Sequence, residues 1–385
     1  MVSYSQYPAD PRVRREAEAM VEAGFQTNVI CLTEAGARRI EIVNGVRVLR
    51  LPLERRRGGH LRYFWQYTSF FVLSFLAVSS LHLRKHYQFV HVHNMPEFLV
   101  FCAIVPWLCG ARIILDLHDP SPEVYMAKYR LDECHVMVRL LQFLESRSIK
   151  ISKLVLTPNT AFRNLFISRG CPPSKIHVVM NTPQAEIFRR AGGASESHRR
   201  SDKFLLMYHG TITKRNGLVV ALEAVAHARK RIPNLMFHVY GEGDFIPEFL
   251  RRTKELGLSD IVTYRGCVSQ AAIAAAIQSI DLGVVPCELS KQWELAMPTR
   301  VFEYLCLGKP VIVPRTRGIQ DYFSEDSIHF FEPGEAPSLA AKIIEVYNDP
   351  VGTQAVLERG MSVCLAHRWE VQKHNLVDLV SALVE

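Results

Sequence analysis

A chain of 385 residues, 48% of them hydrophobic, is too long for one ordinary core and too apolar to stay unfolded, so two domains of similar size are the natural division. Nine cysteines without a CxxC pair exclude a disulfide-stapled scaffold, give a metal little to hold, and are expected as buried thiols in a reducing cytoplasm. The formal charge of +8 is uneven, with 25 Lys/Arg against 15 Asp/Glu in residues 1–190 and 21 against 23 in residues 191–385.

Short apolar, β-branched runs alternate with helical patterns, as βαβ units demand. The chain opens Met1-Val2-Ser3, which leaves room for a very short strand or a truncated one, and Pro11 suits a helix start after the loop Tyr7–Arg12. Strands are expected at 27–32, 46–52, 88–93, 112–117, 153–157 and 175–180, then at 203–209, 235–240, 261–265, 282–286, 310–314 and 328–331. Phe64–Leu83 has about 20 residues without a charge, the length of a membrane span. Its Gln66, Thr68, Ser69, Ser74, Ser79, Ser80 and His82 instead favour a crossover helix packed on a sheet, with an interfacial membrane helix as the second reading and a span as the third. Phe98–Leu108 is too short to span and contains Pro106, so a core helix is expected there.

Ala191–Arg200 is small and polar and reads as a linker. The expected domains are therefore 1–190 and 202–367, joined by 191–201, with a last helix 368–385 whose Val371, Leu376, Leu379, Val380 and Leu383 form an apolar face. The fold class is α/β with two Rossmann-like halves. No GxGxxG spacing is present, which disfavours a nicotinamide dehydrogenase.

The run from Pro298 to Pro314 compresses a loop, a helix, a tight turn and a buried strand. Pro298 suits a first helical position, leaving free amides and the positive dipole end for an anion. Glu303 lies roughly one and a half turns in, where its carboxylate accepts hydrogen bonds from ligand hydroxyls. Gly308 ends the helix and Pro310 opens the strand. Phosphate at the helix mouth with a vicinal diol beside it is a nucleotide arrangement.

This run resembles the donor-binding signature of glycosyltransferase family four. Further matches stand in the family's order over residues 7–314. They are Tyr7-Pro8-Ala9-Asp10-Pro11-Arg12-Val13-Arg14-Arg15-Glu16-Ala17, His91-Val92-His93-Asn94, Leu117-His118-Asp119 with Pro122-Glu123, and Val178-Val179-Met180-Asn181-Thr182-Pro183. The second half adds Tyr208-His209-Gly210-Thr211, Gly241-Glu242-Gly243-Asp244, Tyr264-Arg265-Gly266 and Asp281-Leu282-Gly283-Val284-Val285-Pro286. The resemblance implies the GT-B fold, two domains facing each other across a cleft, the last helix crossing back to the first, and a metal-independent retaining transferase without a cofactor. Its co-substrate would be a nucleotide diphosphate sugar, a UDP-sugar foremost. The acceptor would be a saccharide or lipid-linked saccharide of cell-surface polysaccharide synthesis.

Transfer needs a grip on the diphosphate, stabilisation of its developing charge and a positioned acceptor hydroxyl. In the front-face route implied by the resemblance the leaving diphosphate takes the acceptor's proton, so no protein nucleophile is required. Lys214 and Arg215 follow a strand and open a helix, where they could meet the diphosphate; two solvated cations are the plain alternative. The family pattern has Arg and Lys where this chain has Thr211 and Asn216. Of the acidic pair the family often carries, Glu303 fills the second place, while the first falls on Leu295, with Glu294 one position off. The donor sugar would then meet backbone, or Thr299 and Arg300. Glu303 could otherwise be an exposed helix carboxylate.

Gly210 and Gly241 are candidate close-approach positions for the donor, although a turn alone explains Gly241. His118, at a strand end, would face the donor sugar unless it is a satisfied structural histidine. Asp10, Arg12, Asp119 and Glu123 are acceptor candidates, the last two alternatively helix caps. The basic clusters Arg12/Arg14/Arg15, Arg38/Arg39, Arg55/Arg56/Arg57/Arg62 and Arg84/Lys85 suit the anionic cytoplasmic face of an inner membrane or an acidic acceptor, not nucleic acid; a solvated surface is the bland reading. Rival readings are a nucleotide-sugar epimerase of the same fold and a non-catalytic scaffold subunit that binds a partner transferase.

Overall fold

The computed structural model describes residues 1–34, 36–54, 60–189 and 203–384; the expected linker 191–201 and Arg55–Arg57 lie outside them. The chain divides into two compact units, Met1–Met180 with Glu370–Glu385, and Asn181–Trp369. The division thus falls at Met180, ahead of the expected residue 190.

In chain order the first elements are β1 (Val2–Gln6), α1 (Pro11–Glu22), β2 (Asn28–Leu32), β3 (Ile40–Val43), β4 (Val46–Leu51) and α2 (His60–Lys85). Then come β5 (Phe89–His93), α3 (Ile104–Leu108), β6 (Arg112–Asp116), α4 (Ser121–Tyr129), α5 (Val136–Ile151), β7 (Leu154–Thr157), α6 (Thr160–Ser168) and β8 (Ile176–Val178). The second unit has β9 (Phe204–His209), α7 (Leu218–Ala228), β10 (Leu235–Tyr240), α8 (Ile246–Glu255), β11 (Val262–Gly266), α9 (Gln270–Gln278) and β12 (Leu282–Val284). It continues through α10 (Lys291–Leu295), α11 (Thr299–Cys306), β13 (Val311–Pro314), α12 (Arg317–Gln320), β14 (His329–Phe331), α13 (Ala336–Asn348) and α14 (Pro350–Ala366), and α15 (Trp369–Val384) follows.

The first unit's sheet has the order β3-β4-β2-β1-β5-β6-β7-β8 and is parallel except for β3, which pairs antiparallel with β4. The second has the order β11-β10-β9-β12-β13-β14, parallel throughout. Strand order reverses between β1 and β5 in one sheet and between β9 and β12 in the other, and the carboxyl ends at such switch points are where open α/β sheets bind ligands. The loops after β1, β6 and β9 therefore decide what each unit can hold.

Buried apolar strands fix both cores: Val29, Cys31, Val46 and Val48 pack with Tyr7, Val13 and Ala17 in the first, and Leu206, Phe237, Leu222, Val225, Leu339 and Ile343 are among those that pack in the second. The opening strand β1 is five residues long and lies mid-sheet. Helix α15 joins the first unit through the amide of Met180, which donates to Gln372 Oε1 at 2.9 Å, and Asn375 Nδ2, which donates to the Val178 carbonyl at 3.0 Å. Its buried face is Gln372, Leu376, Val380 and Leu383, whereas Val371 is exposed.

Three expectations change. Among its described side chains helix α2 buries the line Phe70, Ser74, Val78 and His82, spaced one turn apart, and turns Phe64, Trp65, Val72, Leu76 and Leu83 outward. A crossover helix buried in the core would hide most of these; here one apolar face packs on the sheet and the other is left exposed. Residues 97–108 form a 3-10 turn (Glu97–Ala103) followed by α3, which exposes Ile104, Trp107 and Leu108. Cys109, Cys134 and Cys267 are exposed rather than buried, since they fall in turns and loops.

A buried polar cluster braces the first unit. Arg169 pairs with Glu123 and, at 3.3 Å, with Glu145. Burial, more than any neighbouring charge, pushes the Glu145 carboxyl up from 4.5 to about 8. A carboxyl raised by folding holds its proton better folded than unfolded, so this contribution to stability is complete below about pH 4.5 and is lost as pH rises toward 8. Glu145→Gln, which imitates the protonated group, is expected to melt with the wild type at pH 4.5 and above it at pH 8; equal melting at both would remove Glu145 as the titrating group.

Candidate active site

In the second unit the site is built where β9 ends and α11 begins. Helix α11 starts at Thr299, with Pro298 as its cap residue in extended conformation and no side-chain cap, so Pro298 stands one position earlier than expected. The Val301 amide donates to the Pro298 carbonyl at 3.1 Å, which leaves the amides of Thr299 and Arg300 as the unsatisfied donors of the first turn. Beside them the Arg300 guanidinium lies 4.9 Å over the Tyr208 ring, and its Nη1 is buried without a hydrogen-bond partner. Thr213 Oγ1 is a second buried polar atom without a partner. Uncompensated donors of this kind cost free energy unless a ligand satisfies them.

Glu303 is anchored. Its Oε2 lies 2.5 Å from His209 Nε2, while His209 Nδ1 lies 2.9 Å from the Tyr304 hydroxyl. That hydroxyl also lies 2.9 Å from the Met207 carbonyl. A carbonyl can only accept, so the single phenol proton goes to Met207, and burial, the largest influence on Tyr304, keeps it on the phenol. His209 Nδ1 then donates to the Tyr304 oxygen, and Nε2 faces the Glu303 carboxylate. The other carboxylate oxygen, Oε1, is left for a ligand.

The remaining donor-site candidates do other work. A Cβ at Gly210 would lie 2.9 Å from Arg300 Cζ, and one at Gly241 would lie 1.8 Å from the Gly210 carbonyl oxygen. Both glycines make room for protein rather than for ligand. Glu294 Oε1 accepts from the Arg317 amide at 3.2 Å and so caps α12 instead of reaching a sugar. Arg215 donates to Gln292 Oε1 at 2.8 Å from a 3-10 turn ahead of α7, while Lys214 is exposed beside it. The departures from the family pattern have a structural use at one point: the Thr211 carbonyl accepts from both Tyr208 Oη (2.7 Å) and Asn216 Nδ2 (2.6 Å), which closes the loop after β9.

In the first unit a charged cluster lies under the carboxyl ends of β1, β5 and β6. Arg12 is buried and grips Asp116 with two nitrogens at 2.6 and 2.7 Å, reaching the Val179 carbonyl at 2.8 Å. It is thus a buried counter-ion rather than an acceptor contact. Asp10 caps α1, its Oδ1 accepting from the amides of Arg12 and Val13, and Glu123 is taken by Arg169, so neither is free for an acceptor. Asp119 is half-buried, and its carbonyl accepts from Asn94 Nδ2 at 3.0 Å.

His118 is the cluster's outlet. Its Nε2 lies 3.0 Å from Asp116 Oδ2 and 3.0 Å from His93 Nδ1, with 22% of the side chain exposed against none for Asp116. Burial alone would raise the Asp116 carboxyl, but Arg12, then His118 and His93, hold it well below the usual range. Burial keeps His91 and His93 neutral, His93 at about 4, and lifts Glu16 well above the carboxylate range, helped by the charge on Asp116. Glu16, His91, His93 and Asp116 bring ligand-type atoms within 4.8 Å of one another. The Arg12 guanidinium lies among them, 3.1 Å from Glu16 and 2.6 Å from Asp116, and supplies the positive charge that a metal would bring.

Sequence reasoning missed Asp116, Glu16, His209 and Tyr304 as members of these sites. A carboxylate inside the apolar run Ile113-Ile114-Leu115-Asp116-Leu117 was the available signal, because a buried charge requires a partner.

The comparisons agree with this architecture. Family models for a glycosyl transferase 4-like domain and for glycosyl transferases group 1 match residues 9–182 and 203–349. A D-inositol 3-phosphate glycosyltransferase of Paenarthrobacter aurescens is 27% identical over 167 residues, 42% of this chain and 39% of that relative, so the match spans well under two thirds of the relative's length. Among solved structures, sucrose-phosphate synthase from Thermosynechococcus elongatus superposes with a TM-score of 0.78 at 17% identity, covering 99% of this chain and 98% of that one. Anabaena HepE, solved in complex with UDP-glucose, gives 0.74 at 13% identity over 99% and 98% of the two chains. Two Rossmann-like α/β units of this kind define the GT-B class. The chain belongs to the family-four type of GT-B glycosyltransferases.

Proposed function

We propose that the chain is a retaining, metal-independent glycosyltransferase that moves a sugar from a UDP-sugar to a hydroxyl of a saccharide or lipid-linked saccharide, in cell-surface polysaccharide synthesis. The observation that carries this reading is the uncapped start of α11 beside the unpartnered Arg300 Nη1, with Glu303 held by His209 alongside. The amides and guanidinium suit a diphosphate, and Glu303 Oε1 suits the ribose hydroxyls. As the bond from the anomeric carbon to the diphosphate oxygen breaks, Arg300, Lys214 and Arg215 offset the charge left on that oxygen. The oxygen takes the acceptor's proton while the acceptor oxygen bonds the same face of the anomeric carbon. In the first unit His118, held at Nε2 by Asp116, keeps its other ring nitrogen for a ligand.

The test is nucleotide release from UDP-, GDP- and dTDP-sugars with and without a panel of saccharide acceptors. Release from a UDP-sugar that needs an acceptor, with the donor's anomeric configuration kept in the product, supports the proposal; release without acceptor supports the epimerase, and no binding of any nucleotide sugar supports the scaffold.

Placement on the cytoplasmic face of an inner membrane belongs to the same proposal. Phe64, Trp65, Leu76 and Leu83 on α2, and Trp107 and Leu108 on the adjoining α3, are exposed, with Arg62, Arg84 and Lys85 at the ends of α2. Apolar side chains flanked by cations suit an anionic bilayer surface. Sedimentation with phosphatidylglycerol vesicles, much reduced with phosphatidylcholine and by Trp65→Ser with Leu76→Ser, is the expected outcome; equal sedimentation of the variant would contradict it.

A further inference from the structure

We propose that Cys306 and Cys364 are a disulfide-forming pair, a modification site that ties the last turn of α11 to α14 when the protein meets a small-molecule disulfide. Their sulfurs face each other 2.6 Å apart, although they are 58 positions apart in the chain. Gly360, one turn before Cys364, lets α14 seat closely: a Cβ there would lie 2.5 Å from the Ser327 carbonyl oxygen, ahead of β14, and 3.2 Å from Leu305 Cδ2 of α11. The juxtaposition is therefore built into the packing.

The two thiols differ in the way that stepwise exchange requires. Cys306 is partly exposed and Cys364 is buried. The neighbouring Cys306 sulfur, and then burial, push the Cys364 thiol up, so the thiolate that attacks an incoming disulfide is Cys306. Cys306 sulfur bonds one sulfur of the oxidant and expels the other as a thiol. Cys364 then loses its proton, attacks the Cys306 sulfur and expels the second thiol. The two cysteines are oxidised together and one disulfide is reduced to two thiols. Because Cys306 lies one turn beyond Glu303, the crosslink fixes the helix that carries the candidate ligand carboxylate. The pair itself does not depend on the sugar-transfer reading.

Oxidised glutathione is the probe. After treatment, quenching with an alkylating agent and proteolysis, a peptide linking 306 to 364 is expected, reverting with dithiothreitol, while the exposed Cys109, Cys134 and Cys267 carry glutathione. In Cys364→Ser, glutathione should remain on Cys306, since no second thiol displaces it. Wild-type protein in which Cys306 keeps its glutathione, or in which Cys306 and Cys364 are both alkylated after oxidation of the exposed cysteines, would overturn the proposal.

Discussion

Asp116→Asn is expected to destabilise the first unit by roughly 3 kcal/mol, the lower end of the cost of stranding one partner of a buried ion pair. Arg12 loses both short contacts to the carboxylate and stays buried with its charge. The loss does not reach the upper end because Glu16, 3.1 Å from Arg12, is kept neutral by burial and then by the charge of Asp116. Once that charge is gone, Glu16 can ionise and pair with Arg12. Glu16→Gln with Asp116→Asn should therefore cost more than the sum of the two single changes, a coupling that chemical denaturation in a double-mutant cycle reads directly. Additive losses would mean that Glu16 does not respond to Asp116. The same variant frees His118 Nε2 from its acceptor, so transfer should fall further than the folded fraction does.

Glu303→Ala is expected to weaken nucleotide binding by about 1–3 kcal/mol, the worth of charge-assisted hydrogen bonds to ligand hydroxyls, or roughly a 5- to 150-fold rise in Kd. The change also leaves His209 Nε2 without its 2.5 Å partner while Tyr304 still engages Nδ1. Glu303→Gln keeps an acceptor oxygen but not the charge, and should fall between wild type and alanine. Titration calorimetry with UDP measures all three, and equal affinities would take Glu303 out of the site.

The parallel sheets were readable because their strands are mostly buried: β7 and β13 are buried throughout, and β6 and β9 are apolar apart from Arg112, Asp116 and His209 at their ends. The strand β3 was not, since its four residues face solvent on one side at the sheet edge, although Asn44-Gly45, both at positive φ, is a hairpin turn signal. Helix α2 misled for the opposite reason: an apolar sequence predicts burial only where something covers it, and only one face is covered. The place of Glu303 was legible from its helix start, but its pairing with His209, 94 positions away, was not. Arg12, Asp10, Glu123 and Glu294 look like ligand contacts in a motif, and each is taken by protein instead. Composition and spacing give residue types at a site; they do not reveal which charges cancel one another within it.

Amide hydrogen exchange with and without UDP tests the central claim most directly. Slowed exchange concentrated at the α11 start, above all at the amides of Thr299 and Arg300, is the predicted result. Unchanged exchange there at saturating UDP, or protection confined to the first unit, would contradict a nucleotide held at the mouth of α11.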